Sequence, residues 1–145
     1  MKSFTTLTAA ADTLLAGSSG LAAAFDDFWI FHKDASVSHG GGNVFNFVRQ
    51  IDCHELWEAG EFPPRDDVSG GKFGVRFVGS ESDPQVIEMN TVGVDLGHYT
   101  WYKDRGNALV DLNDNVLGHC DVVPIDLSCD GDDKWVGHSI LFCHS

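Results

Sequence analysis

Residues 97–120 read GHYTWYKDRGNALVDLNDNVLGHC and contain three runs rich in aromatic and β-branched residues. Side chains alternate between the two faces of a strand, so Trp101 and Tyr102 fall on opposite faces of the first run. The runs are separated by KDRG and by NDN, and Gly, Asn and Asp favour tight turns. This segment therefore predicts three antiparallel strands joined by two hairpin turns.

The rest of the chain after residue 24 has the same organisation. Five further runs of this kind are separated by Gly, Pro, Ser, Asn and Asp, and they occupy residues 28–33, 43–49, 72–79, 85–90 and 134–143. Residues 52–61, DCHELWEAGE, are the exception, because their Glu and Ala content favours one or two helical turns. Strands that recur every ~8–12 residues are typical of antiparallel sandwiches and barrels. The sequence predicts an all-β fold, a small antiparallel barrel or sandwich of about eight short strands with one short helical segment.

The first 24 residues differ in composition from the rest. A single lysine is followed by small and apolar residues, and the segment ends in three alanines at 22–24, which fits the small-x-small pattern before a signal-peptidase cut. Asp12 places a charge inside the apolar part and weakens this match. We expect residues 1–24 to be a secretion signal and residues 25–145 to form a single β domain.

Four cysteines follow the expected leader: Cys53, Cys120, Cys129 and Cys143. An even number of cysteines in a small secreted chain indicates two disulfides, for which three pairings are possible. Structural zinc sites need tight C-x2-C spacings, which this chain lacks. One pairing would clamp a hairpin with Cys120–Cys129 and leave Cys53 to join Cys143. The sequence therefore predicts a disulfide-stapled domain.

The chain is short and strongly acidic. Its 145 residues include 22 Asp and Glu against 9 Lys and Arg, which gives a formal charge of -13. This field repels phosphate backbones and anionic membrane surfaces, because binding to either depends mainly on Lys and Arg. No segment after the leader approaches the ~18 consecutive apolar residues of a membrane span. The composition argues against a nucleic-acid partner and against membrane insertion.

Two local motifs are similar to metal sites but incomplete. His54 begins H-E-x-x-H, the zinc-protease helix, but Glu58 stands where the second histidine belongs. Residues 126–131, DLSCDG, begin like a calcium loop, but Gly137 replaces the closing Glu. Ordinary structure explains these segments better: a surface turn near His54, and Asx turns in hairpins at 126–131 and 111–115. The sequence predicts no metal site and no cofactor.

Four segments resemble a family of small secreted fungal proteins of the hypersensitive-response elicitor and effector type, some of which host plants sense. The segments are residues 66–80, 86–91, 99–106 and 112–120, and the resemblance covers residues 25–145 in order. D-V-S-G-x-K-x-G-V-R and Y-K-D-R-G are its most specific parts. The family implies a compact β fold with disulfides and no catalytic residues. Phe77 departs from the family, in which a cysteine often follows the V-R pair, so no disulfide pairing is carried over.

The resemblance and the leader together imply a secreted, extracellular, monomeric protein that binds a plant protein or cell-wall component and triggers or modulates plant defence. This interpretation favours a protein that is not an enzyme. The alternative is a small carbohydrate-active hydrolase or a cell-wall polysaccharide-binding module. A hydrolase would need two suitably spaced carboxylates, and no pair stands out among the 22 Asp and Glu residues. A serine hydrolase would need a G-x-S-x-G elbow, which the chain lacks.

The binding residues that we predict are Trp101, Tyr102, Asp104 and Arg105. They would combine a rigid aromatic surface with a charge pair that fixes the orientation of a partner. The opposing interpretation is that one face of this strand, and any given aromatic on it, belongs to the core.

Overall fold

The computed structural model describes residues 25–34, 43–91, 97–130 and 135–145, and the predicted secretion signal lies outside these ranges. Nine strands and one short helix occupy the described residues. The strands are β1 (Phe28–Asp34), β2 (Asn43–Val48), β3 (Gly74–Ser80), β4 (Asp83–Asn90), β5 (His98–Tyr102), β6 (Ala108–Val110), β7 (Val116–Val122), β8 (Asp126–Cys129) and β9 (Trp135–His144). The all-β prediction is confirmed, and the predicted helical segment contains α1 (Cys53–Glu58).

The strands form one antiparallel sheet that curls into a nearly closed barrel. The order across the sheet is β2-β1-β9-β7-β6-β5-β4-β3, and β8 is attached to β9. Strands β3 to β7 follow one another as a meander, and its last three strands, β5 to β7, are the three that residues 97–120 predict. The last strand, β9, returns to lie between β1 and β7 and so pairs the first strand with the end of the meander.

The two outermost strands, β2 and β3, are joined through residues 62–65. Phe62 exchanges two backbone hydrogen bonds of 2.9 Å with Phe45 of β2. Val75 of β3 donates to the Pro63 carbonyl at 3.0 Å, and its own carbonyl accepts from Arg65 at 2.8 Å. These four bonds close the barrel.

Strand β8 continues the line of β7 along β9. The link between them is a kink at residues 123–125, where Ile125 accepts a backbone hydrogen bond from Ser139 of β9 at 2.9 Å. The Ser139 hydroxyl in turn accepts from the Ile125 N–H at 2.9 Å and donates to the Val123 carbonyl. The sequence pattern suggests an Asx turn beginning at Asp126, and this prediction is wrong, because Asp126–Cys129 pairs with β9 as a strand.

The core has two parts, one on each face of the sheet. Inside the barrel, large apolar side chains that include Ile30, Ile87, Trp101 and Leu109 are fully buried. Outside it, α1 places Leu56 on an apolar patch of β1, β2 and β8, made with Phe31, Val48 and Cys129. Within the described ranges, no helix has the length and apolar character needed to cross a membrane.

The disulfides join Cys53 to Cys129 and Cys120 to Cys143. The alternative pairing suggested from the sequence, Cys120 with Cys129 and Cys53 with Cys143, is wrong. Cys120 and Cys143 are direct neighbours across β7 and β9, so the register of the sheet fixes their partnership. Cys129 lies on β8, on the other side of the kink, where it faces α1.

Helix α1 is anchored at its first turn. The Asp52 carboxylate accepts from the Glu55 N–H at 2.8 Å, which is an N-cap. Glu55 in turn accepts from the backbone N–H groups of Arg49 and Gln50 at 2.6 and 3.0 Å, so it fixes the chain that enters the helix. With Cys53 bridged to β8, these bonds hold a helix that is too short to be stable alone.

Glu88 of β4 links three strands on the outer face of the sheet. It accepts from Arg76 of β3 at 2.8 Å and lies 3.0 Å from the His98 ring of β5. Burial alone would raise the pKa of Glu88, but the hydrogen bonds and charges of Arg76 and His98 outweigh it and lower the pKa. The ionised carboxylate therefore stabilises the folded protein.

Replacing Cys53 and Cys129 together by serine should lower the free energy of unfolding by about 2–4 kcal/mol, because the bridge constrains the unfolded chain. The bridged cysteines are 76 residues apart, so the bridge closes a long loop in the unfolded chain. Urea unfolding followed by tryptophan fluorescence measures the change, and the fully reduced wild-type protein should be less stable still. A loss below about 1 kcal/mol would contradict the anchoring role of this bridge.

Glu88→Gln should lower the free energy of unfolding by on the order of 1 kcal/mol at pH 7 and by progressively less in acid. Because the pKa of Glu88 is below its ordinary value of 4.5 in the folded protein, its contribution is fully present above that pH. The contribution is lost as the pH falls through the folded-state pKa. Urea unfolding at a series of pH values tests this, with the exposed Glu58→Gln as a control. An equal difference at pH 3 and pH 7 would count against the role of the ionised group.

Candidate functional site

Trp101 lies in the barrel core rather than on a surface. Its side chain is fully buried, and its indole N–H donates to the Cys120 carbonyl at 3.2 Å. The prediction that Trp101 contacts a partner is therefore wrong. The opposing interpretation, in which one face of β5 belongs to the core, is correct for this residue.

The other three predicted residues lie around the turn between β5 and β6. Asp104 and Arg105 are exposed and Tyr102 is half-buried. Arg105 pairs with Asp114 of the next turn, through two bonds of 2.5 and 3.0 Å, rather than with Asp104. Its guanidinium also lies over the Tyr102 ring, 5.1 Å from the centroid. The Asp114 carboxylate raises the pKa of Arg105, which stays charged.

The turn between β6 and β7 is fixed by Asp111. Its carboxylate accepts from the backbone N–H groups of Asn113 and Asn115 at 2.8 and 2.9 Å, and from the Asn115 side chain at 2.9 Å. This confirms the Asx turn predicted for residues 111–115. The turn leaves Leu112 74% exposed, the most exposed large apolar side chain in the described part of the protein.

A second cluster lies at one end of the barrel and consists of His32, Glu81 and His138. His32 of β1 and His138 of β9 are direct cross-strand partners, so their side chains share one face of the sheet. This is the inner face, because Phe45, the β2 partner of His32, belongs to the barrel core. Glu81 comes from the turn between β3 and β4, at the opposite end of the sheet order from β1. Closure of the barrel brings this turn next to His32.

The three side chains are close enough to share a ligand. Glu81 Oε1 lies 2.5 Å from His32 Nδ1, and Glu81 Oε2 lies 2.9 Å from His138 Nε2. One ligand atom from each residue can be chosen so that all three lie within 4.8 Å of one another. In the described part of the chain this is the one such group of three, and His54 and Glu58 are not part of it.

Neither histidine makes a hydrogen bond through the nitrogen that faces Glu81. His32 Nδ1 and His138 Nε2 are both buried, and their short contacts with the carboxylate lack hydrogen-bond geometry. Buried polar atoms without such a bond are uncommon and destabilising. Burial lowers the pKa of His32, which outweighs the opposing effect of Glu81 and Asp34, so the ring is neutral at pH 7.

The surroundings of the cluster are apolar on one side and acidic on the other. The His32 ring packs against Phe45 at 5.0 Å, and Phe45 stacks on Phe77 at 6.0 Å. Asp126 of β8 is the cross-strand partner of His138 and continues the row across the sheet. The cluster therefore lies between Phe45 and Phe77 inside the barrel and the exposed Asp126 of β8.

The sequence pattern gives little indication of this cluster. Its three members come from distant parts of the chain, and none stands in a motif with metal-ligand spacing. The one available signal is that His32 ends the apolar run in FWIFHK and that His138 interrupts the one in KWVGHSILFC. Apolar residues stand on both faces of each run, so alternation does not show whether either histidine faces the core.

Comparison with known proteins identifies no relative. No family model, no curated protein and no solved structure matches this chain.

Proposed function

We propose that the protein is secreted and acts by binding a host-plant component through the two turns that flank β6, without a catalytic step. We call this region the β6 turn surface, and it consists of Tyr102, Asp104, Arg105, Leu112 and Asp114. The proposal follows the predicted binding residues, without Trp101 and with the two residues of the neighbouring turn.

The observation that carries the proposal is the fixed position of Arg105. Its bidentate pair with Asp114 joins the turn before β6 to the turn after it. Tyr102 supports the guanidinium from below, and Asp111 fixes the backbone of the second turn. A surface that is already ordered loses less side-chain entropy on binding, which favours recognition.

The chemistry of the β6 turn surface suits a partner that offers hydrogen-bond acceptors beside an apolar contact. The Arg105 guanidinium has five N–H donors, and the two bonds to Asp114 leave others free for a partner. Leu112 supplies the exposed apolar contact. Arg and aromatic side chains together are typical of the residues that dominate binding energy at interfaces.

The extracellular part of the proposal rests on separate support. Two disulfides in a small domain are compatible with an extracellular protein, since such bonds persist in oxidising compartments. The apolar leader at residues 1–24 and the resemblance to secreted fungal elicitors point in the same direction. The formal charge of -13 favours encounter with positively charged partners.

Infiltration of the purified protein into leaf tissue tests the proposal. Arg105→Ala should raise the half-maximal dose for the defence response at least about tenfold, the change expected from losing ~1.4 kcal/mol of binding energy. Arg49→Ala is the matched control, because Arg49 is also an exposed arginine paired with an aspartate, Asp26. Circular dichroism would establish that both variants are folded.

Two results would contradict the proposal, and they differ in meaning. A response to Arg105→Ala at the wild-type dose would exclude the β6 turn surface as the binding region. No response to the folded wild-type protein in several plant hosts would exclude the elicitor function itself.

A further inference from the structure

We infer that His32, Glu81 and His138 form a binding site for a divalent transition-metal ion of the zinc class at one end of the barrel. This site is separate from the β6 turn surface and does not depend on the proposed function. Its ligands are two imidazole nitrogens and one carboxylate, contributed by β1, β9 and the turn between β3 and β4.

The donor set selects the class of metal. Zinc and its first-row neighbours bind imidazole together with carboxylate, whereas calcium and magnesium require oxygen ligands almost exclusively. Two histidines and one glutamate also match the three-ligand composition of open zinc sites, in which the fourth position holds water or another molecule.

The spacing of the three side chains is compatible with one shared ion. With metal–ligand bonds of ~2.0–2.1 Å, two ligand atoms of a tetrahedral ion lie roughly 3.4 Å apart. The two nitrogen-to-carboxylate contacts, at 2.5 and 2.9 Å, are shorter than this, and the largest separation in the group is within 4.8 Å. Glu81 is half-exposed on a turn, so its side chain can adjust to bring all three ligands to bonding distance.

The buried nitrogens favour an ion over a simple His–Glu–His contact. His32 has a side chain that is 7% exposed, and its Nδ1 faces the carboxylate without a hydrogen bond, as does His138 Nε2. The same protein contains an ordinary contact of this kind for comparison. There, His98 Nε2 and Glu88 meet at 3.0 Å with hydrogen-bond geometry, and Arg76 completes the group. A shared metal ion would bond both nitrogens, His32 Nδ1 and His138 Nε2, which make no hydrogen bond to Glu81.

Metal binding at this position would crosslink the barrel. His32 and His138 belong to neighbouring strands, but Glu81 lies at the far end of the sheet order and reaches them only across the closure at residues 62–65. An ion bound only by the folded protein raises the free energy of unfolding, and this gain grows with the logarithm of the ion concentration above the dissociation constant. The melting temperature is therefore a direct readout of the site.

The test uses the untagged, disulfide-intact protein, stripped of metal with a chelator and titrated with Zn²⁺. Isothermal titration should show one Zn²⁺ bound per chain, and the melting temperature should rise with Zn²⁺ but not with Mg²⁺ or Ca²⁺. Co²⁺ in place of Zn²⁺ should give visible absorption bands typical of nitrogen and oxygen ligation. Glu81→Gln and His138→Gln should each weaken Zn²⁺ binding at least about tenfold.

The chain supplies matched controls in His54→Gln and Glu58→Gln, which change the same residue types at exposed positions of α1. Both controls should bind Zn²⁺ as the wild type does. Circular dichroism establishes that Glu81→Gln is folded, and its half-exposed position makes loss of folding unexpected. Unchanged Zn²⁺ affinity in both site variants, or no Zn²⁺ binding by the wild-type protein, would overturn the assignment.

Discussion

The barrel depends on the four backbone hydrogen bonds that residues 62–65 make between β2 and β3. Pro63 and Pro64 lack N–H donors, so this segment cannot form a continuous ladder with either neighbour. Phe62 bonds to β2, and the Pro63 carbonyl and Arg65 N–H bond to β3. The closure therefore consists of a few hydrogen bonds rather than a full strand pair. It also brings the turn that carries Glu81, at one end of the sheet order, next to His32 near the other end.

Much of the fold follows from local sequence. Alternation and turn residues predict the eight strands and the short helix, because these signals act within a few residues of one another. The disulfide pairing does not follow, because Cys120 meets Cys143 only through a register that β7 and β9 acquire in the folded sheet. Strand β8 is missed for a related reason. Its sequence, DLSC, is polar enough for a turn, and its pairing depends on the Ser139 kink that aligns it with β9.

The functional residues also divide into those that local sequence predicts and those that only the folded sheet determines. The exposed turn at Lys103 to Gly106 is visible in the sequence, since a charged hairpin turn is a local property. Which aromatic of β5 faces the solvent is not visible, because alternation gives two faces without saying which of them is the core. Trp101 and Tyr102 are therefore assigned only by the closed barrel. The sequence gives almost no indication of the His32, Glu81 and His138 cluster, because closure of the sheet is what brings the three residues together.

The turn that carries Glu81 is also tied to the turn that carries Arg105. Asp83 forms an ion pair with Lys103, and the Lys103 N–H donates to the Gln85 carbonyl at 3.0 Å, so the β3–β4 and β5–β6 turns lie side by side. A metal ion bound to Glu81 would restrain the β3–β4 turn against β1 and β9. Through the Lys103 contacts it would also restrain the β5–β6 turn, to a smaller extent. The exposed Lys103–Asp83 pair alone contributes little stability, but the backbone bond beside it directly follows the β4–β5 ladder. The proposed metal site and the β6 turn surface therefore share no residue, but they are connected through these two adjacent turns.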